Sequence, residues 1–193
     1  MSIGLTAYFF LVACVAAQRL LELRIASNNT EALLSRGARE FESRHYIVMK
    51  VLHTTWLVAC VAEASWRGVP PAMSFSVYAG LFFAIGQILR VAAMTELGPR
   101  WTTRIIVLPE APPVAGGIYR FIKHPNYLGV ILEIAALPLV FGSWFTATIF
   151  SIANLALLLG ARIPAEEEAL TSNNPGADLT EWTRRGRFVP GRS

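Results

Sequence analysis

Apolar residues run along this chain in five long stretches that polar segments separate. The stretches cover residues 3–21, 46–66, 75–94, 127–141 and 144–163. A helix needs about 20 mainly apolar residues to cross the hydrocarbon of a bilayer. The fourth stretch is short for this, so we expect either that its end dips into the interface or that it pairs tightly with the fifth through Gly142 and Ser143. The pattern predicts an all-α, polytopic membrane helix bundle with about five transmembrane helices.

The composition supports a membrane protein without a separate soluble domain. The 193 residues are 54% hydrophobic and 16% charged, with a mean hydropathy of +0.46. About 25% of the residues of a soluble domain are charged. The net charge of +4 therefore bears on membrane orientation more than on an acidic partner.

Basic residues collect in alternate polar segments of the chain. Thirteen of them would lie on one side of the membrane: Arg24, Arg36, Arg39, Arg44, Arg100, Arg104, Arg120, Lys123, Arg162, Arg184, Arg185, Arg187 and Arg192. The opposite side holds Arg67. Because cytoplasmic segments carry an excess of Lys and Arg, the N-terminus is expected outside and the C-terminus in the cytoplasm.

A basic, aromatic segment at residues 117–129 leads directly into the fourth apolar stretch. Pro125 fits the first position of a helix, where a missing N–H costs nothing. His124 would then be the capping residue, with Asn126 and Tyr127 in the first turn beside free backbone N–H groups. Such a helix start favours anion binding. We therefore expect a binding site here, on the cytoplasmic face.

A second polar cluster, from Arg162 to Glu168, follows the fifth apolar stretch. Pro164 is expected to break or kink that span and to open a new helix. The glutamates would lie in its first turn, where they suit the helix dipole. In an arbitrary protein this is a solvated acidic helix start. Three acids beside an arginine, facing a His-Pro helix start, favour a site instead.

These two clusters together carry a family resemblance. The pattern Gly-x-Tyr-(x)3-basic-His-Pro-x-Tyr, two spans and Arg-(x)3-Glu-Glu-x-x-Leu lies between residues 114 and 170. It resembles the isoprenylcysteine carboxyl methyltransferase family, integral membrane enzymes that use S-adenosylmethionine. The N-terminal half, with Arg19-Leu20-Leu21-Glu22-Leu23 and His45-Tyr46, resembles its compact bacterial branch. Some members of that branch are linked to O-methylation of long-chain alkylpyrones and alkylresorcinols.

The resemblance implies a single methyltransferase domain over residues 1–193, in a bacterial inner membrane. A three-span part at 1–94 precedes a cofactor-binding core and cytoplasmic tail at 95–193. The implied catalytic residue is Arg162, on the acceptor side. The implied cofactor-binding residues are Pro113, Val114, Tyr119, His124, Pro125, Asn126, Tyr127, Glu166 and Glu167.

The chain departs from the family pattern at two places. The usual arginine before His-Pro is Lys123, which keeps the charge but loses the planar fork of a guanidinium. The usual tyrosine pair of the tail is absent, and Trp182 is the nearest aromatic residue. A third consecutive acid, Glu168, leaves open which glutamate faces the cofactor.

The residue types suit S-adenosylmethionine on chemical grounds, independently of the family resemblance. Its carboxylate needs cations or helix N–H groups, which Lys123, His124 and the turn at Pro125 supply. Its ribose hydroxyls or ammonium need a carboxylate, for which Glu166 is the candidate. Its adenine needs an apolar or aromatic slot, which Tyr119 and Tyr127 can provide. Arg162 would hold the acceptor oxygen as its anion.

Two further residues are candidates for the acceptor side. Arg90 lies in the third apolar stretch, three residues after Gln87 and on the same helix face. Intramembrane polar groups are functional candidates, although Arg90 can also extend to the interface. Trp101 fits either the mouth of a lateral path for a lipophilic acceptor or an interfacial anchor.

Several classes of protein are excluded or remain as alternatives. No glycine-rich strand-to-helix motif is present, which excludes a soluble Rossmann-type methyltransferase. The histidines and cysteines lack zinc spacing, so no metal is expected, nor a disulfide framework or nucleic-acid binding. The expected partners are a lipophilic or prenylated substrate and membrane lipids, with the oligomeric state open. A membrane NADPH-dependent reductase and a non-catalytic lipid-binding protein remain alternatives.

Overall fold

The computed structural model describes residues 3–41, 43–109, 111–173 and 179–191, with only the backbone at 43–45. Arg192 and the side chains of Arg44 and His45 lie outside the described part. Its helices are α1 (Ile3–Leu34), α2 (Ser43–Arg67), α3 (Met73–Leu97), α4 (Pro125–Val140), α5 (Trp144–Leu157), α6 (Ile163–Ser172) and α7 (Thr180–Arg184). Short 3₁₀ turns lie at Gly98–Arg100 and Gly117–Arg120.

The described helices confirm an integral membrane helix bundle. Four are long and apolar enough to cross a membrane, over Ile3–Leu34, Tyr46–Arg67, Met73–Arg100 and Trp144–Ser172. The fourth apolar stretch forms the shorter helix α4, as its length predicted. It turns sharply into α5 at Gly142, whose φ is +75°, and the Ser143 N–H donates to the Pro138 carbonyl at 2.9 Å.

Helix α1 extends thirteen residues beyond the predicted end at residue 21. The extension contains no Pro or Gly, and one of its faces packs inside the protein through Ala26, Thr30 and Leu33. The Asn29 amide donates to the Trp101 carbonyl at 2.8 Å. Helix α1 therefore carries on past the apolar stretch and forms part of the site end of the bundle.

The main core lies where α1, α2 and α4 meet, around Val12, Trp56 and Leu137. Pro138 has no N–H to donate to the carbonyl four residues earlier, which leaves the Ile134 carbonyl without its helical partner. The Trp56 indole N–H donates to that carbonyl at 3.2 Å, and Trp56 is fully buried. A side chain of α2 thus donates to the carbonyl that the proline inside α4 leaves without a helical partner.

The predicted break of the fifth span at Pro164 does not occur, whereas the new helix α6 does begin there, with Pro164 and Glu166 in its first turn as predicted. A π-helical turn at Leu158–Arg162 joins α5 to α6. A wider turn relieves the clash that a proline ring would make with the preceding turn, so the helix continues. Residues of a π-helical turn are displaced relative to a regular helix, and this turn carries Arg162.

Two short strands, β1 (Arg39–Phe41) and β2 (Ile105–Val107), pair antiparallel with Glu40 opposite Ile106. The sequence pattern did not predict them. They join the segment after α1 to the segment after α3, and the Arg104 guanidinium donates to Glu40 at 2.9 Å. The strands and the two polar clusters therefore lie at the same end of the bundle.

Candidate functional site

A cavity at this end of the bundle brings most of the predicted residues together. Nine of the twelve line it: Trp101, Pro113, Val114, Tyr119, His124, Asn126, Tyr127, Arg162 and Glu166. Its wall is completed by residues of the α3–β2 connection, of β2 and of α6. Trp101 is buried in this wall, and is not exposed at an interface. Pro125, Glu167 and Arg90 do not line it.

The start of α4 forms one side of the cavity. Pro125 is at the first helical position and His124 at the capping position, as predicted. The His124 side chain makes no capping hydrogen bond; its Nε2 lies 3.1 Å from a Glu167 oxygen. Asn126 lies in the first turn, and its buried Oδ1 has no hydrogen-bond partner among the described residues. An acceptor atom in the cavity wall is therefore free for a ligand.

Tyr127 links the two polar clusters. Its hydroxyl donates to Glu166 and accepts from the Nε–H of Arg162 at 2.9 Å. Tyr127 is 8% exposed, and its ring packs against Leu158 and Ile163. The hydroxyl cannot turn toward bulk water, so it holds the guanidinium and the carboxylate in a fixed relation. We call Arg162, Tyr127 and Glu166 the relay.

Arg162 is a buried cation with one unpaired nitrogen. Its Nη2–H donates to the Thr103 carbonyl at 3.0 Å, and the residue is 3% exposed. Its Nη1 is buried and has no hydrogen-bond partner in the described part of the chain. An unpaired buried donor on a charged group is costly. An anionic oxygen in the cavity would satisfy it.

The three consecutive glutamates have different surroundings. Glu166 lines the cavity, and one of its oxygens lies 4.0 Å from His124 Nδ1. Glu167 is engaged by protein groups instead: it accepts from Arg187 at 2.5 and 3.0 Å. That pairing raises the pKa of Arg187. Glu168 is exposed. Among the three, Glu166 is the carboxylate available to a ligand.

A C-terminal segment, residues 179–191, packs over the cavity, and we call it the strap. The N–H groups of Lys123 and His124 donate to the carbonyls of Gly186 and Arg187 at 3.0 and 3.1 Å. Trp182 lines the cavity, and the Lys123 ammonium lies 4.4 Å from the centre of its ring. Trp182, the aromatic residue nearest in sequence to the missing tyrosine pair, thus forms part of the cavity wall. Apart from Trp182, no motif indicated the strap.

Apolar and aromatic side chains form part of the cavity wall, and they suit a flat apolar group. They are Pro113, Val114, Tyr119 and Trp182. The Tyr119 carbonyl accepts from Arg185 at 2.9 Å, which connects this turn to the strap. Burial raises the pKa of the Tyr119 phenol, with Glu166, Tyr127 and Glu96 adding to the shift. The phenol therefore stays neutral and remains a hydrogen-bond donor.

Arg90 lies away from the cavity, in a buried ion-pair cluster. Its guanidinium contacts Glu22 of α1 and Glu133 of α4. It is 5% exposed, so it does not extend to the membrane interface. Since carboxylates on two other helices engage it, its placement gives no support to direct contact with an acceptor. Glu133, which the sequence analysis did not single out, is its partner.

A known protein family matches the part of the chain that contains most of the cavity-lining residues. The profile of the isoprenylcysteine carboxyl methyltransferase (ICMT) family matches residues 78–172, which include α4, the relay and α6. The chain belongs to the ICMT family. This membership confirms the resemblance drawn from the two polar clusters and supports methyltransferase activity in a membrane. The narrower likeness to the alkylpyrone branch stays a prediction.

Three curated proteins are similar in sequence to this chain. An uncharacterized protein of Bacillus subtilis, YpbQ, is 36% identical over 84% of this chain and 96% of its own length. An uncharacterized protein of Haemophilus influenzae is 29% identical over 82% of this chain and 92% of its own. A protein-S-isoprenylcysteine O-methyltransferase of Schizosaccharomyces pombe is 30% identical over 51% of this chain and 43% of its own.

Proposed function

We propose that this ICMT-family protein is an S-adenosylmethionine-dependent O-methyltransferase that acts on a lipophilic acceptor at the cytoplasmic face of a bacterial inner membrane. The acceptor would offer a carboxylate or an enolic or phenolic hydroxyl, as a prenylcysteine or a long-chain alkylpyrone does. The observation that carries the proposal is the relay: a buried arginine with one unpaired nitrogen and a glutamate that lines the cavity, joined by one tyrosine hydroxyl.

The residues around the cavity fit the cofactor. A carboxylate suits the Lys123 ammonium and the first turn of α4, whose N–H groups lack helical acceptors. An ammonium or ribose hydroxyl suits Glu166, the carboxylate that lines the cavity. An adenine suits the slot between Tyr119, Pro113 and Trp182. The unpaired Asn126 Oδ1 supplies an acceptor for a further N–H or O–H.

When bound, S-adenosylmethionine supplies an electrophilic methyl group whose bond to sulfur breaks as a bond to the acceptor oxygen forms. The protein's task is to bind, orient and exclude water. Arg162 would stabilise the acceptor oxygen as its anion through Nη1–H, since its other polar groups already hold Tyr127 and Thr103. A carboxylate is already ionised near neutral pH, so no separate base is required for it.

The strap would exclude water from the cavity. Its backbone pairs with residues 122–124, and Trp182 faces the same cavity as the relay. Glu167 and Arg187 fix the strap to α6. The side chain of Glu167 thus acts on the strap, whereas that of Glu166 acts on the ligand.

Ligand-dependent thermal stabilisation tests the proposal against the reductase alternative. The purified protein in lipid nanodiscs would be heated with S-adenosylhomocysteine or with NADPH. We expect the first to raise the midpoint in proportion to the logarithm of its concentration, and the second to have no effect. Stabilisation by NADPH alone would favour a reductase. Binding of S-adenosylhomocysteine without methyl transfer to any lipid extract would favour a non-catalytic protein.

A further inference from the structure

Four charged residues form a closed cluster inside the bundle, and we call it the ion-pair ring. Arg19 donates to Glu22 at 2.5 Å, and it also contacts Glu133. Arg90 contacts Glu22, and its Nε lies 3.2 Å from the second Glu133 oxygen. The ring thereby joins α1, α3 and α4, with two positive and two negative charges.

The ring lies where α3 and α4 approach most closely. A Cβ atom on Gly129 would be 2.6 Å from the Arg90 Cγ and 2.7 Å from the Gly86 carbonyl oxygen. The Arg90 side chain therefore crosses α4 directly over Gly129. Gly86 of α3 and Gly129 of α4 face each other there, and small-residue contacts between membrane helices allow close approach. The rotation of α4 about its own axis then depends on the groups that its polar side chains contact.

Glu133 and the cavity share one face of α4. Asn126 and Glu133 are seven residues apart, which is two helical turns, and Gly129 lies between them. Glu133 is 1% exposed and is the only charged residue of α4. A buried carboxylate cannot leave its cations without a large cost in a dry interior. The ring consequently fixes the direction in which this face, including Asn126, points.

We propose that Glu133 and Arg90 are positioning residues: the ion-pair ring sets the rotation of α4 and so aims Asn126 into the ligand cavity. The proposal rests on the proposed function in that it takes the cavity as the cofactor site. It gives Arg90 a role through Glu133 in place of direct contact with an acceptor. Loss of the ring should turn the first turn of α4 away from the cavity.

A purely structural ring would lower stability without a selective effect on the cavity. Glu63 provides a matched control. It is also a buried carboxylate in a spanning helix, 8% exposed, and it accepts from Arg67 at 2.9 Å and from the Thr146 N–H at 2.7 Å. It joins α2 to the start of α5, at the bundle end opposite the cavity. The variants Glu133→Gln and Glu63→Gln therefore remove comparable charges at different places.

The test measures two readouts for both variants in nanodiscs. The first is the affinity for S-adenosylhomocysteine by calorimetry, which we expect Glu133→Gln to lower by about tenfold or more and Glu63→Gln to leave within about twofold. The second is the rate at which a water-soluble maleimide labels Asn126→Cys through the cavity. We expect Glu133→Gln to remove most of that rate and Glu63→Gln to preserve it.

The outcomes separate this proposal from the proposed function. Unchanged labelling of position 126 in the Glu133→Gln background would overturn the positioning role, whatever the cofactor does. Absence of S-adenosylhomocysteine binding in the wild type would overturn the proposed function, while the labelling rates would still decide the positioning role. Should Glu133→Gln not fold, Glu133→Asp keeps the charge, shortens the side chain and carries the same test.

Discussion

The Nε–H of Arg162 donates to the hydroxyl of Tyr127 at 2.9 Å, although 34 residues and most of two helices separate them in the chain. The same hydroxyl donates to Glu166. The Tyr127 hydroxyl oxygen thus holds two groups in position: Arg162, which we assign to the acceptor, and Glu166, which we assign to the cofactor. Removing this hydroxyl should therefore affect both cofactor binding and methyl transfer to the acceptor.

Tyr127→Phe removes that oxygen and leaves the ring in place. We expect a loss of about 1–3 kcal/mol at the buried Arg162 Nε and a smaller loss at Glu166, whose side chain is 29% exposed, because both lose a hydrogen bond. Both the affinity for S-adenosylhomocysteine and kcat should fall, by tenfold or more. Calorimetry and a methyl-transfer assay measure the two. Tyr78→Phe, on an exposed surface of α3, is the control and should change neither.

Arg162→Ala should lower turnover far more than it lowers cofactor affinity. Its Nη1 is buried and unpaired among the described residues, and Arg162 lines the cavity in which we assign the acceptor oxygen. Loss of a group that stabilises developing or bound negative charge typically costs about 100-fold or more in kcat. Kinetics at saturating cofactor, compared with calorimetry, give the two values. An equal loss in both would place Arg162 on the cofactor side.

Glu166→Ala should act chiefly on cofactor binding. Its carboxylate lines the cavity, whereas the exposed Glu168 does not. We expect affinity for S-adenosylhomocysteine to fall by about tenfold to 100-fold, the range for a lost charge-assisted hydrogen bond. Glu168→Ala serves as the control and should bind normally. Unchanged affinity in Glu166→Ala would remove this residue from the cofactor site.

Glu167→Gln should loosen the strap. It weakens the pairing with Arg187, whose side chain is 42% exposed, so the expected cost is only about 1 kcal/mol or less. Trypsin should then cut faster after Arg184, Arg185 or Arg187, and release of S-adenosylhomocysteine should accelerate by a few fold. Added salt should reproduce part of the effect in the wild type, because it screens this pair. A cleavage rate equal to that of the wild type would show that Glu167 does not hold the strap.

The helix bundle was predictable because lipid leaves a spanning segment few alternatives to a helix. All five apolar stretches became helices, and the short fourth became α4. The extension of α1 to Leu34 was not predicted, since its polar residues contact partners such as Trp101 that lie far along the chain. The chain stays helical through Pro164 because of a π-helical turn, and hydrophobic periodicity does not predict such a turn.

The site was predictable where it consists of local motifs. The His-Pro start of α4 and the Arg-(x)3-Glu pattern each lie within a few residues, and the structure brings them together. The strap and the contacts of the ion-pair ring between helices were missed because they depend on long-range pairing; the Arg19–Glu22 pair, three residues apart, is local. Glu133 did carry a signal: it is the only charge in an apolar helix, seven residues after Asn126. The helical spacing of polar residues within the spans would have identified Glu133 as a candidate.

Transfer of a radiolabelled methyl group tests the central claim most directly. The wild-type protein in nanodiscs would be incubated with methyl-labelled S-adenosylmethionine and a bacterial lipid extract, beside Arg162→Ala and Tyr78→Phe. We expect label in the organic phase with the wild type and Tyr78→Phe, and its near-complete loss with Arg162→Ala. Label transfer by Arg162→Ala at the wild-type rate would contradict the account, as would the absence of transfer to any carboxylate or hydroxyl lipid by a wild-type protein that binds the cofactor.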